Sequence, residues 1–217
     1  MGELRHMLRD DDVNHEEQKQ ILELGMKFRA DRFYHRPFEG PQGVAVIFDK
    51  PSTRTRSSFS IGVAELGGYP LVIDKSGSQL GRGEPVADTA EVLTRMAYGI
   101  VWRTFEQSRV EQMARVATVP VVNALTDEFH PCQVLADFLT LAQFKGGVDN
   151  LENLKIAYVG DAANNMSNSY LLAGAVGVKD LSGPVGIVSM MNEVGKESAT
   201  KAAAFSNIAY FSAFIAV

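Results

Sequence analysis

Short unbroken apolar runs alternate along the chain with longer stretches in which apolar residues recur every three or four positions. Residues 44–48, Val-Ala-Val-Ile-Phe, carry no polar interruption, the pattern of a strand covered on both faces. Residues 52–66 place Phe59, Val63 and Leu66 on one side of a helix, closed by Gly67-Gly68. The pattern then predicts strands over 69–74, 99–102 and 119–123, and helices over 86–96, 106–117 and 131–144. Pro131 suits the first position of the last helix, and Gly146-Gly147 ends it. Ahead of these, Asp12 or Asn14 can cap a helix running to about Phe28, and Gly40-Pro41-Gln42-Gly43 marks a turn.

After the linker at 146–150 a further strand is expected over 153–159 and a helix over 164–175. No repeat interrupts the series. Strands alternating with helices imply an α/β fold with a parallel sheet flanked by helices. The linker is expected to divide a first domain, residues 1–145, from the beginning of a second α/β domain at 151–178, expected to be incomplete.

Composition narrows this picture without redirecting it. The 217 residues are 46% hydrophobic and 22% charged, ordinary for a soluble globular chain. A net charge of −5 argues against nucleic acid as a partner, so any basic site is local. Cys132 is the single cysteine, which excludes an internal disulfide and fits the cytoplasm. The start, Met-Gly-Glu-Leu-Arg-His, lacks the apolar segment of a secretory signal and the hydroxyl residue of a myristoylation site. No run of about 18 apolar residues occurs, so a membrane is not expected except through the apolar stretch 202–217.

The residues best suited to chemistry come just after the predicted strands. Ser52-Thr53-Arg54-Thr55-Arg56 follows the first, Arg103-Thr104 the third, His130-Pro131-Cys132-Gln133 the fourth, and Asp161 with Asn164-Asn165 the fifth. In open α/β sheets the carboxyl ends of the strands share one edge, where ligands bind. Hydroxyls, guanidinium groups and free backbone N–H groups at the start of a helix suit a phosphate dianion. Arg54 and Arg56 lie two apart and face different ways, so one is expected on the anion and the other on a structural carboxylate. The plainer alternative is a capped helix with solvated arginines.

His130 opens a helix, where partial positive charge favours a neutral ring able to donate one hydrogen bond to a carbonyl oxygen; the alternative is a structural loop histidine. Gln133 can read an amide through its donor and its acceptor. Arg103, next to Trp102, requires an acid or a bound anion if buried. Asn164 and Asn165 offer a helix cap and a second amide for a ligand. Cys132 reads as a small buried hydrophobe. Gly81-Arg82-Gly83-Glu84 is not a phosphate-binding P-loop, and Gly160-Asp161-Ala162 is not a dinucleotide fingerprint. His6, His15, His35 and His130 show no ligand spacing, and no G-x-S-x-G is present, so neither a metal site nor a serine hydrolase is expected.

Taken together these motifs resemble the aspartate/ornithine carbamoyltransferase family. Ser52 to Arg56 with Phe59 is similar to its S-T-R-T-R-x-x-F motif. Ser78-Gln79-Leu80-Gly81-Arg82, Val101-Trp102-Arg103-Thr104, Asp127-Glu128-Phe129-His130-Pro131-Cys132-Gln133 and Gly160-Asp161-Ala162-Ala163-Asn164-Asn165-Met166 resemble its ornithine branch. The resemblance covers about residues 1–178. It implies carbamoyl transfer from carbamoyl phosphate to L-ornithine, giving L-citrulline and phosphate, in arginine metabolism and without metal or organic cofactor. By the same resemblance Ser52, Thr53, Arg54 and Thr55 bind the phosphate. Arg103, His130 and Thr55 meet the carbonyl oxygen as the catalytic groups, and Gln133 holds the carbamoyl amide. Gln79 reaches a neighbouring subunit's site in a homotrimer, and Asn165 with Asn164 meets ornithine.

Two departures qualify the resemblance. Ser60 stands where the family's glutamate is expected, which predicts a missing ion pair with an arginine. The family's later D-x-W-x-S-M-G and H-C-L-P segments do not occur, so the chain is expected to be truncated. Residues 179–217 depart altogether: the segment from Lys179 to Val188 resembles the L-x-G-P-V-G-I segment of site-2-type membrane zinc proteases without that family's zinc ligands, which suggests a chimeric or frameshifted tail. The competing expectation is a catalytically inactive remnant that binds carbamoyl phosphate or phosphate and transfers nothing.

Overall fold

A computed structural model describes residues 4–77, 80, 83–152, 154–156, 158 and 161–177, and the backbone of 159 and 189–190. Asn14 caps α1 (His15–Ala30) through a reciprocal box with Glu17. Then β1 (Gly43–Phe48), α2 (Thr53–Glu65), β2 (Tyr69–Asp74), α3 (Val86–Thr94), β3 (Gly99–Arg103), α4 (Gln107–Val116), β4 (Val121–Leu125) and α5 (Pro131–Lys145) follow in alternation. Past a short 3-10 turn (Val148–Leu151) come β5 (Tyr158–Val159), α6 (Asn165–Val176) and β6 (Ser189–Met190).

The first four strands form one parallel sheet in the order β2-β1-β3-β4, flanked by helices, as the alternation predicted. β1 lies inside it, and its continuous apolar run serves both faces. Val44, Val46 and Phe48 join the core with Phe59, Val63, Leu135 and Phe138. Ala45 and Ile47 turn to the core holding Ile100, Trp102, Val110 and Met113. β5 and β6 pair in parallel as a separate two-stranded piece. Among the described residues no helix is long and apolar enough to cross a membrane.

Two expected strands differ from those observed. The fourth runs over Val121–Leu125 rather than 119–123. Pro120 has no N–H to pair, and its carbonyl only accepts the Ile100 N–H, so the ladder starts after it. The strand expected over 153–159 is confined to Tyr158–Val159, because Leu154 still folds back to the Leu151 carbonyl in the preceding turn.

The strand order places the site. From β1 the chain crosses first to β2 on one side and later to β3 on the other, so the carboxyl ends of β1 and β3 bound a topological switch point. Asp49, just past β1, ties this junction together. Its N–H donates to the Arg103 carbonyl at 2.9 Å. Its Oδ2 accepts from Thr104 Oγ1 at 2.6 Å, Trp102 Nε1 at 3.1 Å and Arg109 Nη2 at 3.4 Å. Trp102 and Thr104 are fully buried, so the carboxylate answers donors that water cannot reach. Between β3 and β4 the register skips a residue, pairing Trp102 with Asn123 but Arg103 with Leu125. Such a bulge bends the strand and re-aims the side chains beyond it.

Asp49→Ala strands the Trp102 and Thr104 donors and leaves Arg109 without its ion pair. Urea denaturation is expected to show a loss of about 2–4 kcal/mol. A loss under about 0.5 kcal/mol, the usual scale of an ordinary surface change, would remove Asp49 from this role.

Candidate functional site

The first turn of α2 sits at the switch point. Ser52 is its N-cap: Oγ accepts the Thr55 N–H at 3.3 Å and donates to Thr55 Oγ1 at 2.9 Å. Thr55 is buried, while Thr53 and Arg54 are exposed at the helix start. Of the two arginines, Arg56 is the one on a structural carboxylate. Arg56 forms a two-pronged pair with Asp74 at the end of β2 and stacks 5.3 Å from the Phe48 ring. Arg54 has no ion pair among the described residues. Arg56 thus has an acid although residue 60 is not one.

Arg103 ends β3, half-buried, with Nε enclosed and unpartnered among the described residues. Burial, with the Arg54 charge second, lowers its affinity for a proton. His130 is the N-terminal flank of α5, and its Nδ1 is likewise buried without a partner. Burial and then the Arg103 charge push its imidazole down to about 3. The ring is therefore neutral at physiological pH and can donate one hydrogen bond. Arg103 thus lies close enough to feel the charge of Arg54 and to act on His130, and no acidic side chain among the described residues pairs with Arg54 or Arg103. Such a cluster is costly without an anion to complete it.

The loop carrying His130 is held on all sides. Thr126 donates from Oγ1 to Gln107 Oε1 at 2.8 Å, and Glu128 accepts the Gln107 N–H at the start of α4 at 2.9 Å. Asp127 pairs with Lys50, and Arg9 stacks 5.1 Å from the Phe129 ring. From α6, Asn165 Nδ2 donates to the Thr126 carbonyl at 2.8 Å and Asn168 Nδ2 to the Glu128 carbonyl at 3.0 Å. Ser169 Oγ accepts the His130 N–H at 2.8 Å. Residues 165, 168 and 169 share one helix face, so α6 grips this loop along its length.

The other predicted residues find definite places. Asn164 is the α6 cap: Oδ1 accepts from Met166 and Ser167 N–H, and Nδ2 donates to the Tyr158 hydroxyl at 3.0 Å. Asn165 donates from its NH2 to the Thr126 carbonyl. Gln133 donates from Nε2 to Asp137 at 3.0 Å. Cys132 is buried against the Asn123 carbonyl, and burial pushes its thiol up to about 12, as suits a packing residue. Gln79 and the tail motif from Lys179 lie outside the described residues. Among the described residues no group of three or more His, Cys, Asp or Glu side chains could hold a metal ion.

Sequence reasoning missed Asp10, Asp49, Asp137, Asn168, Ser169 and Tyr170. Only the polar repeat at 165, 168 and 169 left a signal, a hydrophilic stripe on an otherwise apolar helix. Asp10 is enclosed at 3% exposure in the N-terminal segment and hydrogen-bonds Ser169; burial pushes its carboxyl up to about 7.

Residues 5–143 match the family described as "Aspartate/ornithine carbamoyltransferase, carbamoyl-P binding domain". An ornithine carbamoyltransferase of Bifidobacterium longum is 77% identical over 186 residues, covering 85% of this chain and 58% of the relative. The crystal structure of ornithine carbamoyltransferase from Burkholderia thailandensis superposes with a TM-score of 0.73 at 41% identity, covering 80% of this chain and 59% of that one. For the ornithine carbamoyltransferase of Pyrococcus furiosus the values are 0.72, 43%, 78% and 54%. The chain thus spans a little over half the length of the relatives it matches.

His130 and Asp10 pull stability in opposite directions with pH. A histidine neutral in the fold takes its proton only on unfolding, so its contribution is complete above 6.5 and is lost as pH falls towards 3. The folded Asp10 carboxyl keeps its proton, so its contribution is present below 3.8 and is lost as pH rises through about 7. Between these limits the two slopes oppose. Asp10→Asn leaves His130 alone, and its stability is expected to climb more steeply with pH than the wild type's across the acid range, by up to about 1.4 kcal/mol per unit. Urea midpoints at fixed pH values test this; parallel curves would refute the raised Asp10 carboxyl.

Proposed function

The chain belongs to the aspartate/ornithine carbamoyltransferase family, a family of carbamoyl-transferring enzymes, and on that premise we propose that its crevice binds carbamoyl phosphate and passes the carbamoyl group to L-ornithine. The observation that carries this is the convergence of two acid-free guanidinium groups and a buried, unpartnered imidazole beside a helix N-terminus. Inorganic or esterified phosphate supplies the missing negative charge. Ser52, Thr53, Arg54 and Thr55, with the free N–H groups of α2, take the phosphate. Arg103, neutral His130 and the Thr55 hydroxyl face the carbonyl oxygen, and Gln133 takes the carbamoyl NH2.

The reaction is then a matter of charge placement. The neutral δ-amine of ornithine attacks the carbonyl carbon, and a C–N bond forms. Negative charge grows on the carbonyl oxygen, where preorganised donors stabilise it. The bond from carbon to the bridging oxygen breaks, and phosphate leaves with the amine's surplus proton. Citrulline and hydrogen phosphate result, with no electron gained or lost. Asn165 Oδ1, left open by the bond from Nδ2 to Thr126, is suited to accept from the amine or ammonium of ornithine. Asn164 supports that position by capping α6.

Residues 1–145 are assigned as the carbamoyl-phosphate unit, 151–178 as the beginning of the ornithine unit and 179–217 as a non-family tail. Self-association as a trimer is supported by the sheet edge: β2 leaves Tyr69 and Leu71 exposed, and α2 exposes Ile61. In such a trimer Gln79 serves a neighbour's site. A cytoplasmic setting is supported by a single, unpaired cysteine.

The second reading is an inactive remnant that binds carbamoyl phosphate or phosphate and transfers nothing. Citrulline formation by the purified chain separates the two. Binding alone is tested by Arg103→Ala, which is expected to weaken carbamoyl phosphate at least 100-fold, the scale of losing a charged donor from such a site. Unchanged affinity would refute the proposed crevice.

A further inference from the structure

The Gln133 amide has one end tied and one end open. Nε2 donates to Asp137 Oδ1, one turn further along α5, at 3.0 Å. The second carboxylate oxygen accepts the Tyr170 hydroxyl from α6 at 2.5 Å. Tyr170 is itself braced: its ring lies 5.8 Å from that of Tyr158, whose hydroxyl accepts from Asn164. A carboxylate only accepts hydrogen bonds, so it can hold only the NH2 end of a glutamine. With both its oxygens engaged, Asp137 cannot turn to release Gln133, and the amide oxygen Oε1 is left as the free end. Asp137 is mostly enclosed, so water competes weakly for these bonds.

We propose that Asp137, braced by Tyr170, is a positioning residue that keeps the Gln133 carbonyl oxygen open to the site, and so selects an acyl phosphate bearing NH2 over one bearing a methyl group. The proposal rests on the carbamoyl-phosphate reading of the crevice. An amide oxygen accepts from a carbamoyl NH2. The methyl of acetyl phosphate, close in size, leaves that oxygen unsatisfied. A flipped amide would set N–H against N–H. Sites that hydrogen-bond one polar group discriminate strongly against an analogue lacking it.

The test is titration of the intact chain with freshly prepared carbamoyl phosphate, with acetyl phosphate and with inorganic phosphate, for the wild type, Asp137→Asn and Tyr170→Phe. Asparagine at 137 can donate or accept, which frees the Gln133 amide to flip. The wild type is expected to prefer carbamoyl over acetyl phosphate at least about tenfold. In Asp137→Asn that preference should fall to about threefold or less, with inorganic phosphate bound as before; Tyr170→Phe should reduce it partway. A preference unchanged in Asp137→Asn overturns the proposal. Should that variant lose phosphate as well, Tyr170→Phe decides, and a wild-type preference there overturns it. A wild type that binds none of the three overturns the crevice reading instead. Equal wild-type affinity for carbamoyl and acetyl phosphate, with phosphate bound, overturns the selective role of Gln133 alone.

Discussion

Everything in the crevice depends on positive charge assembled without its own acid. Burial and then the Arg54 charge lower the proton affinity of Arg103, and burial with the Arg103 charge second keeps His130 unprotonated. A protein that needed these groups for stability would have paired them, as it pairs Arg56 with Asp74 and Arg109 with Asp49. The contrast within one small region separates arginines paired with acids from arginines without an ion pair among the described residues. The cost of keeping them open is met by the surrounding frame: a buried β1, the Asp49 junction and a capped α2.

That frame does not stop at the first domain. The His130 loop would be a surface loop on the four-stranded sheet alone, and loops of that kind move unless their backbone groups are tied. Here three polar side chains on one face of α6 bond to Thr126, Glu128 and His130, and Tyr170 reaches Asp137 beside them. The first helix after β5 is therefore bonded to the His130 loop of the first domain rather than standing apart from it.

Much of the fold was legible because its signals are local. The unbroken 44–48 run, the Ser52 cap, Pro131 at a helix start and Gly146 beyond its end each state one element's limits through short-range physics. That one of the two arginines meets a structural carboxylate was readable from their spacing; that it is Arg56 was not. The fourth strand was misplaced by two residues because an apolar pair including Pro120 looks like strand until the missing N–H is counted. Asp10, Asp49 and Asp137 were illegible for a different reason. Each matters through a partner far along the chain: Tyr170 lies 33 positions from Asp137, Thr104 lies 55 from Asp49, and Ser169 is more distant still from Asp10. No sequence period records such meetings.

The same distinction bears on how the site keeps its histidine useful. A neutral imidazole beside a guanidinium is stable only while the ring stays enclosed, since solvent would restore its ordinary affinity for a proton. The enclosure comes from the neighbours of a loop whose backbone is bonded to α6, and the N–H of His130 itself is one of those bonds. Protonation state and position are thus set by one contact surface. Loosening α6 would both displace the donor and let it charge, and a charged ring beside Arg103 would add repulsion to the displacement. The two effects act in the same direction, which makes the packing of α6, rather than any single catalytic side chain, the element on which an intact crevice depends.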